Sequence, residues 1–139
     1  MEYTLVDTGI WIAMFDPRDQ YRERFEEISE YLEICYLILP WPTLYETLKT
    51  RLARNRNALQ RFEAYLKRPH ITFLDDELYR ETALELCFSS ALQAYRPLSM
   101  VDCLIRLILE DINVKVSYLA TFNNDDFIDI CQKWQVEII

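Results

Sequence analysis

The sequence contains one glycine and one histidine in 139 residues. So little glycine leaves few sites for tight hairpin turns and, with only five prolines, argues against an all-β protein. Four scattered cysteines (Cys35, Cys87, Cys103, Cys131) form no Cys-x-x-Cys pair, and His70 stands alone, so a structural zinc site has no ligand set. Three of these cysteines fall inside apolar helical patterns, which reads as buried free thiols in a reducing compartment rather than a disulfide framework. No apolar run approaches the roughly 20 residues needed to span a bilayer, and the N-terminus lacks the basic-then-apolar order of a signal peptide. A soluble, cytoplasmic protein is expected. The net charge of -8 counts against nucleic acid as a partner. Acids gathered to bind a metal are the exception, because they lower the total without repelling a metal-bridged phosphate.

Apolar residues make up 51% of the chain and aromatics 14%, the composition of a folded protein. Its length suits a single domain over residues 1–139, able to bury roughly two-thirds of its unfolded surface. Short apolar runs predict strands at Tyr3–Val6, Tyr36–Leu39, Ile71–Leu74, Val114–Ala120 and Val136–Ile139. Helices are expected between them. Gly9–Phe15 is short and apolar, and a helix from Asp19 buries Tyr21, Phe25, Ile28 and Leu32. Thr43–Arg54 carries a stripe of Leu44, Leu48 and Leu52, and the next helix runs through Leu59, Phe62 and Leu66. A long helix opened by Asp75-Asp76 turns Leu84, Phe88, Ala91, Leu92 and Tyr95 inward and stops at Pro97. Ser99–Ile112 buries Val101, Leu104, Ile105 and Ile108, and Asp125–Trp134 is the last helix. Alternating strands and helices with largely apolar strands predict an α/β fold, a three-layer α/β/α sandwich around a short, mainly parallel sheet.

Acids recur where strands hand over to helices. Asp7 ends the first strand, Glu46 and Asp102 sit in first helical turns, and Asp125-Asp126 follow the fourth strand. In a parallel sheet these junctions share one edge, where open α/β folds keep their sites. The helix dipole favours negative charge in a first turn. Gathering such acids is costly: two unit charges about 4 Å apart repel by roughly 4 kcal/mol at an effective dielectric of 20. A hard divalent cation offsets that repulsion, and Mg²⁺ or Mn²⁺ suits all-oxygen ligands best.

The same residues carry a resemblance. Leu5-Val6-Asp7-Thr8, Thr43-Leu44-Tyr45-Glu46, Leu98-Ser99-Met100-Val101-Asp102 and Leu119-Ala120-Thr121-Phe122-Asn123 leading to Asp126-Phe127 resemble the PIN-domain nucleases over essentially the whole chain. The small stand-alone format looks like the VapC-type toxins of toxin–antitoxin pairs. The resemblance implies a metal-dependent endoribonuclease, a homodimer, restrained by an antitoxin protein. Carried over by position, Asp7, Glu46, Asp102 and Asp126 are the catalytic and metal-binding acids, and Thr8, Ser99, Thr121 and Asn123 support them. Asp125 or a water held by Asn123 is the alternative for the fourth corner. The chain lacks the paired imidazoles that would enlist the RNA 2′-hydroxyl, and the resemblance implies products with 5′-phosphate and 3′-hydroxyl ends. The rival reading is a catalytically silent PIN-like module that binds RNA or protein.

Each of these acids has an ordinary reading too. Asp7 suits a helix cap, Glu46 a helix start, and Asp102 a helix start or an i,i+4 partner of Arg106. Asp75-Asp76 read as caps. Lys49, Arg51, Arg54, Arg56 and Arg61 form the one basic cluster, a solvated helix face or an RNA contact through Arg51, Arg54 and Arg56. Trp11, Trp41 and Trp134 read as core or interface residues and His70 as structural. A haloacid dehalogenase-type phosphatase would need Asp where Gly9 stands. A response-regulator receiver would need an acidic pair where Thr8 and Gly9 stand.

Overall fold

A computed structural model describes residues 1–93 and 97–139. Five parallel strands lie in the order β3-β2-β1-β4-β5. They are β1 (Tyr3–Val6), β2 (Tyr36–Pro40), β3 (Ile71–Leu74), β4 (Tyr118–Ala120) and β5 (Glu137–Ile138). The helices are α1 (Thr8–Phe15), α2 (Arg22–Ile34), α3 (Trp41–Thr47), α4 (Arg56–Leu66), α5 (Arg80–Gln93), α6 (Met100–Glu110) and α7 (Asn124–Trp134).

Strand side chains alternate between two cores because successive residues point to opposite faces. Val6, Leu37, Leu39 and Ala120 pack with α1, α2 and α4, around Trp11 and Phe62. Leu5, Ile38 and Leu119 pack with α5, α6 and α7, around Ile105, Ile108 and Phe127. Helices on both faces make the three-layer architecture. Burying each of the large side chains contributes about 1.5–3 kcal/mol. The chain runs outward from β1 through β2 to β3, then returns to add β4 on the other side of β1. The order therefore reverses beside β1, and at such a switch point the loops diverge and leave a crevice beyond the strand ends.

Several elements differ from the sequence expectation. The helix expected over Thr43–Arg54 breaks. α3 ends at Thr47, the Thr50 hydroxyl accepts from Leu52 N–H, and Arg51–Arg54 form a separate 3₁₀ turn. Leu44 and Leu52 are buried but Leu48 is exposed, because the helical period does not continue through the break. Asn55 then caps α4 by accepting from Ala58 N–H at 3.1 Å. α5 begins at Arg80 rather than at Asp75-Asp76. The Asp75 carboxylate holds Glu77 N–H, and the Asp76 carbonyl accepts from Tyr79 and Arg80. Both acids thus shape the turn into the helix.

The inward face of α5 is also a different one. Tyr79 and Ala83 are buried and Cys87 half-buried, whereas Leu84 is 45%, Phe88 62% and Leu92 80% exposed. Tyr79, Ala83 and Cys87 pack in one cluster with Cys103, Leu104 and Ile105 of α6. Ala91 is exposed, and Tyr95 lies outside the described residues. β4 is shorter than the apolar run from Val114 suggests, with Val114 and Val116 half-buried on its approach. All four cysteines carry free thiols, and burial pushes Cys103 and Cys131 up to about 11. Trp11 is fully buried, His70 sits edge-on to Tyr65, and Trp41 stacks on Phe73, 4.9 Å between ring centres. Among the described residues no helix is long and apolar enough to cross a membrane.

Candidate functional site

The site grows from the register of the two central strands. Val6 pairs with Ala120, so the next residues, Asp7 and Thr121, emerge side by side beyond the sheet edge. Asp7 N–H donates to the Ala120 carbonyl at 3.0 Å, and the Thr121 hydroxyl donates to Asp7 Oδ2 at 2.8 Å. Asp7 Oδ1 accepts from Thr8 N–H at 2.8 Å, which makes Asp7 the N-cap of α1. Asn123 N–H donates in turn to Thr121 Oγ1 at 3.1 Å. Thr121 therefore links the loop before α7 to the first acid.

Asp7 is 6% exposed, and its pKa is raised to about 6. Burial is the main cause. The hydrogen bonds from Thr121 and Thr8 pull it down, while the fields of Asp102 and Glu46 push it up. Those two acids, 95 and 39 residues further along the chain, act on Asp7 through space. Glu46 lies in the last turn of α3 rather than the expected first turn, because the helix already begins at Trp41 directly after β2. There the Thr8 hydroxyl donates to its Oε2 at 2.8 Å. Asp102 is the third residue of α6. Its N–H donates to Ser99 Oγ at 3.0 Å and its Oδ2 accepts from Ser99 N–H at 3.2 Å, a reciprocal capping box. Thr8, Ser99 and Thr121 thus each hold one of the three acids.

The acids expected at the fourth corner, Asp125 and Asp126, lie in the first turn of α7. Asp126 is half-buried and Asp125 exposed, so of the two Asp126 faces the protein. Asn123 precedes the helix and offers no side-chain cap. Arg106 of α6 donates to the Asp126 carbonyl and clasps Asp129 with two bonds. Nothing local in the sequence indicates that clasp; the i,i+4 rule pairs Arg106 with Asp102 instead.

In donor chemistry the acids suit a hard divalent cation: all ligand atoms are oxygens, and their charges already oppose one another at Asp7. Their arrangement is looser. Among the described residues no three His, Cys, Asp or Glu side chains are gathered closely enough to hold a metal ion. The Asp102 carboxylate turns back on its own cap, and Glu46 is held by Thr8.

The basic cluster starts beside Glu46, where Lys49 N–H donates to the Glu46 carbonyl at 3.1 Å, and runs away from it. Arg51 pairs with Asp16 at 2.8 Å and Asp19 at 3.3 Å, beyond the C-terminal end of α1, so about 12 Å of helix separates that region from Asp7. Arg54 and Arg56 are exposed on the turn leading into α4. Arg61 donates to the Phe15 carbonyl at 3.3 Å and closes the end of α1.

This fold, a parallel 3-2-1-4-5 sheet with helices on both faces, is that of the PIN-domain proteins. One solved structure it resembles is VapC20 of Mycobacterium tuberculosis, described as a sarcin-ricin loop cleaving toxin, with a TM-score of 0.70. The likeness covers 91% of this chain and 94% of that one at 16% identity, which establishes a shared fold. No family model matches the sequence, and no curated protein matches it.

Proposed function

We propose that this chain is a metal-dependent endoribonuclease of the PIN class, hydrolysing RNA phosphodiester bonds as a single domain over residues 1–139. The observation that carries the reading is Asp7: a carboxylate buried at the switch point of a PIN fold, within the fields of Glu46 and Asp102. The resemblance to a toxin that cleaves the sarcin-ricin loop supports RNA as the substrate class.

In this proposal Asp7, Glu46, Asp102 and Asp126 hold Mg²⁺ or Mn²⁺, which when bound supplies Lewis acidity toward a phosphate oxygen and a lowered pKa for water. Thr121 and the Thr8 N–H keep the Asp7 carboxylate aimed outward from the sheet edge. Ser99 fixes the start of α6 and so the direction of Asp102. Thr8 restrains Glu46, and Asn123 holds Thr121 in its donating orientation through the backbone. Arg54 and Arg56 are exposed cations available to RNA phosphates, while Arg51 would have to exchange Asp16 and Asp19 for them. Cleavage would leave 5′-phosphate and 3′-hydroxyl ends.

The biological setting we propose is a cytoplasmic toxin restrained by an antitoxin protein and working as a homodimer. The exposed Leu84, Phe88 and Leu92 face of α5 supports self-association, since monomers rarely leave contiguous apolar rows in water. The loose arrangement of the acids favours a second reading, a PIN-like module that binds RNA or protein without turnover. One experiment separates the two. Purified protein is incubated with a mixed RNA pool and Mg²⁺ or Mn²⁺, with Asp102→Asn as the control. Metal-dependent cleavage lost in the variant supports the nuclease. Tight RNA binding without cleavage supports the silent module, and cleavage that survives in the variant refutes the assigned site.

A further inference from the structure

Asp102 and Asp126 stand on different helices, and one side chain spans the gap between those helices. Arg106 lies one turn beyond Asp102 on α6. Its Nη1 donates to the Asp126 carbonyl at 2.8 Å and to Asp129 Oδ1 at 2.7 Å, while its Nη2 donates to Asp129 Oδ2 at 2.7 Å. The Arg106 side chain is 23% exposed and that of Asp129 66%. A planar guanidinium bound at both nitrogens is fixed in orientation as well as in place. An ordinary tie between two helices would need only the Asp129 pair. The third bond, to the main chain of Asp126, connects that tie to the proposed site. Asp126 is then held on both sides, since its own N–H donates to the Asn123 carbonyl at 3.1 Å.

We propose that Arg106 is a positioning residue: locked by Asp129, it fixes the first turn of α7 against α6 so that Asp126 is presented at a set distance from Asp102. This rests on the proposed assignment of both acids to one metal site. Arg106 itself touches neither metal nor RNA; it acts through the backbone of Asp126. Such supporting contacts, when removed, lower metal affinity or activity by about tenfold to a hundredfold.

The test is calorimetric titration of the full chain with Mn²⁺, paired with RNA cleavage kinetics. Arg106→Gln is expected to weaken Mn²⁺ binding about tenfold and to lower kcat similarly, with KM for RNA within about twofold. Arg106→Lys should recover part of the loss, because an ammonium can still donate to the Asp126 carbonyl but cannot fork onto Asp129. In an Asp126→Asn background Arg106→Gln should add nothing further, the non-additivity expected when one residue acts through another. A purely structural tie would lower the melting temperature and leave Mn²⁺ affinity and kcat as in the parent, and that result overturns the inference. If Arg106→Gln folds poorly, Arg106→Lys decides: intermediate Mn²⁺ affinity supports positioning and parental affinity overturns it. A parent that neither binds Mn²⁺ nor cleaves RNA overturns the nuclease reading and this role together. A parent that does both beside an unaffected Arg106→Gln overturns this role alone.

Discussion

Replacing Asp7 by Asn is expected to stabilise the metal-free protein at neutral pH while abolishing metal binding. Burial raises the Asp7 pKa from 3.8 to about 6. At about 1.36 kcal/mol per pKa unit, keeping that carboxylate ionised costs the fold about 3 kcal/mol. Asparagine is as good an N-cap as aspartate, so the bond from Thr8 N–H survives. The Thr121 hydroxyl must turn to accept from the new amide, and one charge-assisted bond becomes a neutral one, which takes back about 1–2 kcal/mol. The net expectation is a gain of about 1–2 kcal/mol well above the raised pKa.

The pH dependence has a definite sign. An acid whose folded pKa is raised binds its proton more tightly in the native state, so its contribution is full below about 3.8 and is lost as pH rises through about 6. The parent should therefore lose stability across that window relative to Asp7→Asn, and the advantage of the variant should vanish toward its acid end. Urea unfolding followed by circular dichroism, in chelator, measures this; with a slope of about 1–3 kcal/mol per molar, the midpoint shift is about 0.5–1.5 M. Saturating Mn²⁺ should reverse the order, because a ligand at 100 times its dissociation constant stabilises the parent by about 2.7 kcal/mol. A variant less stable than the parent at about pH 8, or a difference that does not change with pH, would refute the reasoning.

Further perturbations test other parts of the molecule. Thr4, fully buried in β1, has a hydroxyl with no hydrogen-bond partner among the described residues, so Thr4→Val should raise unfolding free energy by about 1 kcal/mol in the same urea assay. Gly9 lies in α1, where an added Cβ would meet Phe122 at an ordinary 3.5 Å. Gly9→Ala is expected to stabilise by about 0.5–1 kcal/mol, and a loss of stability would show that the space is not there. Phe88→Glu with Leu92→Glu should convert a dimer to a monomer in light scattering at unchanged circular dichroism; a parent that is already monomeric removes the dimer from the proposal. With Arg54 and Arg56, which have no ion-pair partner among the described residues, as the contacts, the salt slope for single-stranded RNA should be about -1.4. That is roughly a sevenfold loss between 50 and 200 mM salt, where a thousandfold loss would demand a larger basic surface.

The parallel three-layer architecture was legible because each strand falls in a short apolar run, with Asp7, Asp75 and Thr121 marking the ends of β1, β3 and β4 and Pro40 closing β2. Leu5 and Val6 feed opposite cores, and no local competitor disturbs that pattern. Asp7 and Asp102 stand at the helix starts that their neighbours predict, whereas Glu46 lies in the last turn of α3, since the Trp41-Pro42 start of that helix was not read from the sequence. What remained hidden depends on contacts remote in sequence. The inward face of α5 could not be read from periodicity, because the 79-83-87 and 84-88-92 rows are both apolar and only the first packs with α6. The break after Thr47 turns on Thr50 capping Leu52, a local competition that an uninterrupted Leu44-Leu48-Leu52 stripe conceals. Arg106 meets Asp129 across 23 residues, and the basic cluster spends Arg51 on Asp16, 35 residues away.

The acids of the site are unequal as evidence for function. Asp102 completes a capping box with Ser99, and Asp126 lies in the first turn of α7, where the helix dipole favours a carboxylate. Folding alone would favour an acid at both positions, so their presence says little about chemistry. Asp7 is different. Asparagine would cap α1 as well without placing a charge where it is 6% exposed and opposed by the fields of Asp102 and Glu46. Thr121 is turned to support the charged form, and the charged form is the one the fold disfavours. A cost of this size, held in place by a dedicated hydrogen bond, is the pattern expected where stability is given up for a cation-binding carboxylate. Position 7 is thus where the structural and functional explanations of this protein diverge, and where one substitution tells them apart.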